Sequence, residues 1–300
     1  MDLSGVFVPT VTPFDEAGEI DLDGFRSNCR TWLQAGISGL VVGGTSGEAV
    51  LLDEDERIAL WEVAREELGD RILIAGTGAE STRASIRLAM AAADAGADAL
   101  LVQPPAFFKG AMHPAALDAH FRAVAENSPV PVIVYQVPLK CSTLDLPNDW
   151  VAEISHHPNV VGIKDSRGKL ELVEELVQKC ANGFQVLVGS GALLLSGLQA
   201  GAVGGILGVA NLMAEDCAEI ARAHAAGDDT RAEEVQNWVT PVHNSIVAVM
   251  GVPGLKASLD RMGMHGGRPR MPLNPLAADR VPELESVLLN AGIDTPKSAA

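Results

Sequence analysis

The sequence predicts an α/β protein with a closed (β/α)8 TIM barrel and a C-terminal helical extension. Short apolar runs alternate with amphipathic helical segments along most of the chain, and eight such runs come before the last helical stretch. Repeated strand–helix units connect through right-handed crossovers and build a parallel sheet. Eight strands of this kind favour a closed barrel over an open doubly wound sheet.

The predicted strands are rich in Val, Ile and Leu and show no strict alternation of apolar and polar residues. This pattern is typical of strands that are buried on both faces. The strands are predicted at residues 5–10, 39–43, 72–76, 99–103, 130–135, 160–164, 185–189 and 203–207.

Helix start signals stand between these strands. Asp21, Asp53 and Ser81 each precede a helical pattern as an N-cap, and Pro114 takes an early helical position. Glycine follows several helices, as at Gly36, where a left-handed C-cap is needed. The helices predicted from these signals cover residues 22–35, 54–68, 82–95 and 115–127, and a fifth, at residues 148–156, begins after Pro147.

After the eighth strand the chain holds only helix candidates, which include residues 231–250, 253–262 and 282–291. This is more than one closing helix requires. We therefore expect a barrel over residues 1–211, C-terminal helices packed on it over residues 212–291, and a tail over residues 292–300. The last part of that tail, from Thr295, is expected to be disordered.

The amino-acid composition argues against some classes of binding partner. A net charge of −17 argues against nucleic acid and anionic membranes, because both need basic patches. No apolar run reaches the ~18 residues that span a membrane, and no signal peptide is evident. The four cysteines lack Cys-x-x-Cys spacing, which indicates reduced thiols in a cytoplasmic protein. No Asp, Glu or His cluster has metal-ligand spacing, so we expect catalysis without metal.

Two strands end in a polar side chain that can carry chemistry. Lys164 closes the run 160–164, and Tyr135, the only tyrosine, closes the run 130–135. Catalytic groups of barrel enzymes sit at this end of the strands. An amine among apolar neighbours is disfavoured as ammonium, so its pKa should fall. A neutral amine attacks a ketone to form a Schiff base, and a phenol nearby can move the protons.

Residue types alone leave a second interpretation open at each position. A lysine at a strand exit is usually solvated, and a buried tyrosine is often a core residue with a hydrogen-bonded hydroxyl. Asp165 is interpreted as a capping or loop residue. Ser166, at the same strand exit, is counted among the residues that contact substrate.

A glycine-rich loop, GGTSGE at residues 43–48, follows the second strand. Glycines allow close approach of the backbone to a ligand, and amides with the Thr45 and Ser46 hydroxyls would suit a carboxylate. The alternative is an ordinary strand–helix turn. Lys140, shortly after Tyr135, is either a second carboxylate binder or a surface lysine.

Together these motifs resemble the dihydrodipicolinate synthase/N-acetylneuraminate lyase family of Schiff-base aldolases and lyases. Residues 44–48 are similar to the family's pyruvate-carboxylate loop. Tyr135-Gln-Val-Pro138 is similar to its Tyr-Asn-x-Pro motif, and GIKDS at residues 162–166 to its Schiff-base lysine segment. The motifs occur in the family's order, and the likeness runs from about Gly5 to Pro275.

The resemblance implies that Lys164 is the nucleophile, Tyr135 the proton-transfer group, and Thr45 and Ser46 carboxylate binders, with Thr45 relaying protons from Tyr135. It implies a 2-keto acid substrate, no cofactor beyond the imine on Lys164, and a homotetramer built as a dimer of dimers. The further pocket residues that it implies are Gly44, Gly189 and Ile206.

The sequence departs from the synthases in two places that bear on substrate. Residues 139–142 read LKCS where synthases have Ser-Arg-Thr-Gly, and lysine keeps the charge of arginine without its bidentate fork. Residues 104–109 read PPAFFK, without the tyrosine hydroxyl that synthases borrow from a neighbouring subunit. Other segments, including GVPGLK at 251–256, are more similar to 4-hydroxy-2-oxoglutarate aldolases.

We therefore expect a pyruvate-linked class I lyase that cleaves or forms a 4-hydroxy-2-keto acid, with 4-hydroxy-2-oxoglutarate as first candidate and pyruvate and glyoxylate as products. Synthesis of 4-hydroxy-tetrahydrodipicolinate and cleavage of 2-keto-3-deoxy sugar acids stay open. A phosphate-binding barrel enzyme, using residues 189–191 and 204–205, and a non-catalytic pyruvate-binding relative are alternatives of different classes.

Overall fold

Eight parallel strands close into a barrel in chain order, which confirms the predicted fold class. The computed structural model describes residues 1–293, and β1 pairs with both β2 and β8. The strands are β1 (Gly5–Pro9), β2 (Gly39–Val42), β3 (Ile72–Gly76), β4 (Ala99–Val102), β5 (Val132–Gln136), β6 (Val160–Asp165), β7 (Gln185–Val188) and β8 (Gly204–Ile206).

Helices connect the strands, and the predicted N-caps start three of them. Asp21 and Ser81 accept hydrogen bonds from the first turns of α1 and α3, and Asp53 forms a capping box with Glu56 at α2. The helices are α1 (Leu22–Leu33), α2 (Glu54–Leu68), α3 (Thr82–Asp94), α4 (Pro114–Asn127), α5 (Asn148–Ile154), α6 (Leu170–Lys179), α7 (Leu194–Gln199) and α8 (Ala214–Ala225).

The core has two layers. Inside the barrel, apolar side chains from the strands pack around the axis, among them Phe7, Ile133, Leu187 and Ile206. Outside it, the opposite faces of the strands pack against the ring of helices, where Trp32, Trp61 and Trp150 are buried. Both faces of the strands are therefore covered, as their sequences indicate.

The C-terminal part adds α9 (Asp229–Val242), a π-helix (His243–Met250), α10 (Gly251–Arg261) and α11 (Val281–Asn290). The single helix expected at residues 231–250 is thus an α-helix followed by a π-helix. Pro241 lies just before the change and has no N–H for the regular ladder. The expected disordered stretch from Thr295 lies outside the described residues. No helix within residues 1–293 is long and apolar enough to cross a membrane.

Candidate active site

Tyr135 and Lys164 lie side by side on neighbouring strands. They are register partners in the β5–β6 pairing, and the Lys164 Nζ lies 4.2 Å from the centroid of the Tyr135 ring. Both are buried, with 3% and 4% of the residue exposed. The sequence prediction that both occupy strand ends is therefore correct, and the structure adds that they touch.

A register shift in the β5–β6 pairing brings these two residues together. Val132 pairs with Val160, but the next residue, Ile133, pairs with Gly162, so Val161 is extra. Without this irregularity Ile163 would stand opposite Tyr135, and Lys164 would belong to the other face of the sheet. Gly162 suits the crowded position, because a Cβ there would lie 2.4 Å from the Gln185 carbonyl oxygen.

The surroundings of Lys164 favour a neutral amine. Burial lowers its pKa to about 7. Within the described residues no carboxylate lies at ion-pair distance from Nζ. The neighbouring Asp165 is instead bound by Arg167, whose Nε lies 2.8 Å from a carboxylate oxygen. A buried amine without a counter-ion is a fit nucleophile near neutral pH.

The Tyr135 hydroxyl is hydrogen-bonded to the Thr45 hydroxyl at 3.0 Å. Burial raises the pKa of Tyr135 to about 12, while the hydroxyls of Thr45 and Ser166 act in the opposite direction. The phenol therefore stays protonated at neutral pH. The pair forms a short chain of hydroxyls beside the amine, which is the arrangement that proton relay needs.

The loop that carries Thr45 and Ser46 is a tight turn, in which Glu48 N donates to Thr45 O at 3.1 Å. Glu48 has a positive φ of 57° and a fully buried carboxylate. That carboxylate accepts from Lys256 Nζ at 2.6 Å and from Arg270 N at 2.8 Å. Helix α10 and the segment that follows it thus hold this loop. Sequence reasoning missed the Glu48–Lys256 pair, although both residues stand in motifs that it singled out.

The remaining expected pocket residues occupy three places. Gly189 lies against Ser166, and a Cβ on Gly189 would lie 1.9 Å from the Ser166 Oγ, so glycine makes room for that hydroxyl. Ile206 is buried inside the barrel in the same apolar cluster as Tyr135. The carbonyl oxygen of Gly44 accepts backbone hydrogen bonds within the loop after β2, and Ser46 is half-buried in the same loop.

Lys140 lies at the mouth of the barrel, where two cavities meet. Its Nζ donates to the carbonyl oxygens of Val247 at 3.2 Å and Ala248 at 2.6 Å, both in the π-helix. It lines a cavity of about 580 Å³ that also contains Thr45 and Cys141. It also lines one of about 390 Å³ that contains Ser166 and Gly189.

Comparison with known proteins identifies the family of this chain. The model of the dihydrodipicolinate synthetase family matches residues 2–291. The chain belongs to this family. The resemblance stated from the motifs is confirmed, and with it the class: the protein is a class I lyase or aldolase.

Two of the curated relatives of this family member carry different names. A protein of Emericella nidulans named probable mitochondrial 4-hydroxy-2-oxoglutarate aldolase is 36% identical over 274 residues, covering 89% of this chain and 88% of its own. A 4-hydroxy-tetrahydrodipicolinate synthase of Rhizobium meliloti is 36% identical over 286 residues, covering 94% and 96%. Membership in the family therefore leaves the substrate open.

Solved structures of the family share the fold closely. A dihydrodipicolinate synthase of Acinetobacter baumannii, described as complexed with pyruvate, has a TM-score of 0.92 at 30% identity and covers 97% of this chain and 100% of its own. The enzyme of Thermotoga maritima has a TM-score of 0.92 at 28% identity and covers 98% and 100%. The barrel and the C-terminal helices are thus common to this family member and its relatives.

Proposed function

We propose that this protein is a pyruvate-dependent Schiff-base aldolase that cleaves 4-hydroxy-2-oxoglutarate to pyruvate and glyoxylate, or joins them. The observation that carries the proposal is the buried Lys164 amine beside the hydrogen-bonded hydroxyls of Tyr135 and Thr45. The imine between Lys164 and the substrate is the electron sink, so the proposal assigns no further cofactor.

In the cleavage direction Lys164 Nζ attacks C2 of the keto acid, and the C2 oxygen leaves as water to give a protonated imine. Loss of the C4 hydroxyl proton breaks the C3–C4 bond, and the electron pair moves to the imine nitrogen. The aldehyde departs and an enamine of pyruvate remains. Protonation at C3 and addition of water then release pyruvate and the free amine.

The neighbouring groups have distinct parts in this sequence. Tyr135 accepts the C4 hydroxyl proton as it passes its own proton to Thr45, which is 3.0 Å away. Thr45 in turn releases its hydroxyl proton to water in the cavity that it lines. The hydroxyls of Thr45 and Ser46, with the amides of their turn, hold the carboxylate next to C2. Ser166, Gly189 and Ile206 shape the pocket around the reacting carbons.

Two features favour a small carboxylated aldehyde as partner. Lys140, in place of a synthase arginine, is tied to the π-helix and has no bidentate fork. Phe107 and Phe108 stand where a synthase has its borrowed tyrosine, and they have no hydroxyl. The name of the Emericella nidulans relative agrees with this choice.

The second candidate is 4-hydroxy-tetrahydrodipicolinate synthesis, which the name of the Rhizobium meliloti relative favours. Cleavage of 2-keto-3-deoxy sugar acids is a third. Pyruvate offered with a panel of glyoxylate, aspartate semialdehyde and glyceraldehyde ranks the three by kcat/KM. We expect glyoxylate to rank first.

The alternatives of other classes have less support. A phosphate site after β7 would use the Gly191 amide, but this amide donates to the His243 Nδ1 at 3.2 Å. A non-catalytic relative has no need for a buried, uncompensated lysine beside a tyrosine–threonine pair, because burying such an amine costs stability.

Borohydride reduction in the presence of pyruvate, followed by peptide mass mapping, tests the proposal. We expect a stable adduct on Lys164 that is absent from Lys164→Ala. Lys140 and Lys256 serve as matched lysines within the same protein. An adduct on either of these, or none at all in the wild-type protein, would overturn the assignment of the nucleophile.

A further inference from the structure

The smaller cavity, of about 390 Å³, lies between the ends of β6 and β7 and the π-helix. Ser190 follows β7 by two residues, and Leu187 on that strand is the register partner of Lys164. Ser166 and Gly189 line the cavity together with Ser190, so it adjoins the place proposed for the reacting carbons. Its polar lining also includes Lys140, His243 and Asn244.

The contacts of His243 determine which of its ring nitrogens carries the proton. The Gly191 N–H points at the Nδ1 at 3.2 Å, so this nitrogen accepts. Burial lowers the pKa of His243 to about 4, so the ring is neutral at pH 7 and its proton is on Nε2. Nε2 lies 3.0 Å from the Ser190 Oγ and donates to it. The Ser190 hydroxyl proton is then free to be donated elsewhere.

Most of the hydrogen-bond donors of the Lys140 amine already have partners within the protein. Two of its three N–H groups go to the Val247 and Ala248 carbonyls. Pro253, five residues after Ala248, has no N–H to donate to the Ala248 carbonyl in the π-helical pattern. One N–H of Lys140 remains for a ligand.

The cavity lining favours an anion in spite of the protein's net charge. No Asp or Glu is among the residues that line it within the described chain. Arg167 also lines it, but its side chain is buried and engaged by Asp165 and Asn148. The donors available to a ligand therefore include the Ser190 hydroxyl, the third N–H of Lys140 and the side-chain amide of Asn244. Donors of this kind bind the oxygens of a carboxylate.

We propose that Ser190, oriented by His243, acts with Lys140 to bind the carboxylate of the aldehyde partner and so selects carboxylated aldehydes. This inference rests on the proposed function, since it concerns the second substrate of the imine on Lys164. Ser190 is a specificity-determining residue and His243 a positioning residue. Gly191 is required for the arrangement, because a Cβ there would lie 2.4 Å from Val209 Cγ1.

The test compares two aldehydes that differ in the carboxylate, glyoxylate and acetaldehyde, in condensation with pyruvate. Ser190→Ala removes the donor and should lower kcat/KM for glyoxylate by about 10-fold to 100-fold, the loss typical of a hydrogen bond to a charged group. The value for acetaldehyde should change little. His243→Asn keeps an acceptor for the Gly191 amide but loses the donor to Ser190, and should give a smaller loss in the same direction.

Borohydride trapping with pyruvate is measured on every variant, so that the two proposals fail separately. Ser196→Ala, in α7, is the matched serine control and should leave both aldehydes unaffected. If Ser190→Ala still traps pyruvate but keeps its preference for glyoxylate, the subsite assignment is wrong. It is equally wrong if Ser190→Ala remains folded but no longer traps pyruvate. If borohydride traps no pyruvate adduct on the wild-type protein, both proposals are wrong.

Discussion

At the scale of single residues, two opposing effects determine the pKa of Lys164. Its position 4.2 Å above the Tyr135 ring favours the ammonium form by a cation–π contact, worth up to about 2 kcal/mol when desolvated. Full burial opposes this with shifts of about 3–5 pKa units, each worth about 1.4 kcal/mol. Burial therefore prevails, in agreement with a pKa of about 7.

The first prediction concerns the pH dependence of imine formation. Only the neutral amine attacks, and the neutral fraction grows as pH rises through the pKa of about 7. The initial rate of pyruvate trapping should fall about tenfold for each pH unit below 7 and level off above it. Rates at pH 5 to 11 give the midpoint. A midpoint near 10.5, the ordinary lysine value, would mean that the amine is solvated.

The second prediction concerns Tyr135→Phe. The ring and its contact with Lys164 remain, while the hydroxyl bonded to Thr45 is lost. Imine formation should stay measurable, but turnover should slow by about 10²-fold or more, the size of a lost acid–base group. Single-turnover trapping and steady-state kcat separate the two steps. Unchanged turnover would remove Tyr135 from the mechanism.

At the scale of elements, the strands position the amine and the phenol, but the hydroxyl loop after β2 is held from outside the barrel. Glu48 and Lys256 form an ion pair whose side chains are 0% and 1% exposed. Lys256 Nζ also donates to the Arg268 carbonyl at 2.8 Å, and it lies 4.4 Å above the Phe14 ring. Helix α10 therefore fixes the turn that presents Thr45 to Tyr135.

The third prediction separates this pair from ordinary surface ion pairs. Glu48→Gln and Lys256→Met should each lower the free energy of unfolding by about 3–5 kcal/mol, because each leaves a buried partner uncompensated. The double variant should lose less than the sum of the two. Each single variant should also raise KM for pyruvate, since the turn that carries Thr45 is displaced.

Arg222→Met is the matched control. Its guanidinium pairs with Glu219 on the exposed face of α8 and should contribute at most about 1 kcal/mol. Denaturant unfolding and pyruvate KM are measured for all four variants. Strictly additive losses in the double variant, or an unchanged KM in stable single variants, would show that the pair does not position the loop.

At the scale of the whole molecule, the loop after β4 leaves two aromatic side chains in solvent. Phe107 and Phe108 are 80% and 72% exposed and pack edge to face with ring centroids 5.2 Å apart. The Glu80 carboxylate accepts from the backbone amides of Ala106 and Phe107, so the loop is held in place. Large exposed aromatics on a fixed loop are typical of a protein–protein interface.

The fourth prediction follows from the homotetramer that the family resemblance implies for this chain. Changing Phe107 and Phe108 together to Ser should reduce the mass in solution, measured by sedimentation equilibrium, to that of a dimer or monomer. Leu289→Ser, which replaces another exposed apolar residue on α11, should leave the mass unchanged. A wild-type monomer, or a tetramer that survives the double change, would contradict this role for the aromatic pair.

Two connecting helices, α6 and α7, were not predicted from the sequence, and they share a physical reason. Neither has a side-chain hydrogen bond at its N-cap, so the local chemistry that marks α1 and α3 is missing. The π-helix was not predicted either, because its apolar pattern does not distinguish it from an α-helix. Packing in the folded chain decides these segments.

The sequence by itself determined the eight strands and the presence of Lys164 and Tyr135 at two strand ends, because apolar runs and strand exits are local patterns along the chain. Only the tertiary structure decided the register shift that turns Lys164 toward Tyr135. It also decided the Glu48–Lys256 pair, 208 positions apart, and the Ser190–His243 pair, 53 apart. Contacts at such separations depend on how strands and helices close on one another, which local residue patterns do not record.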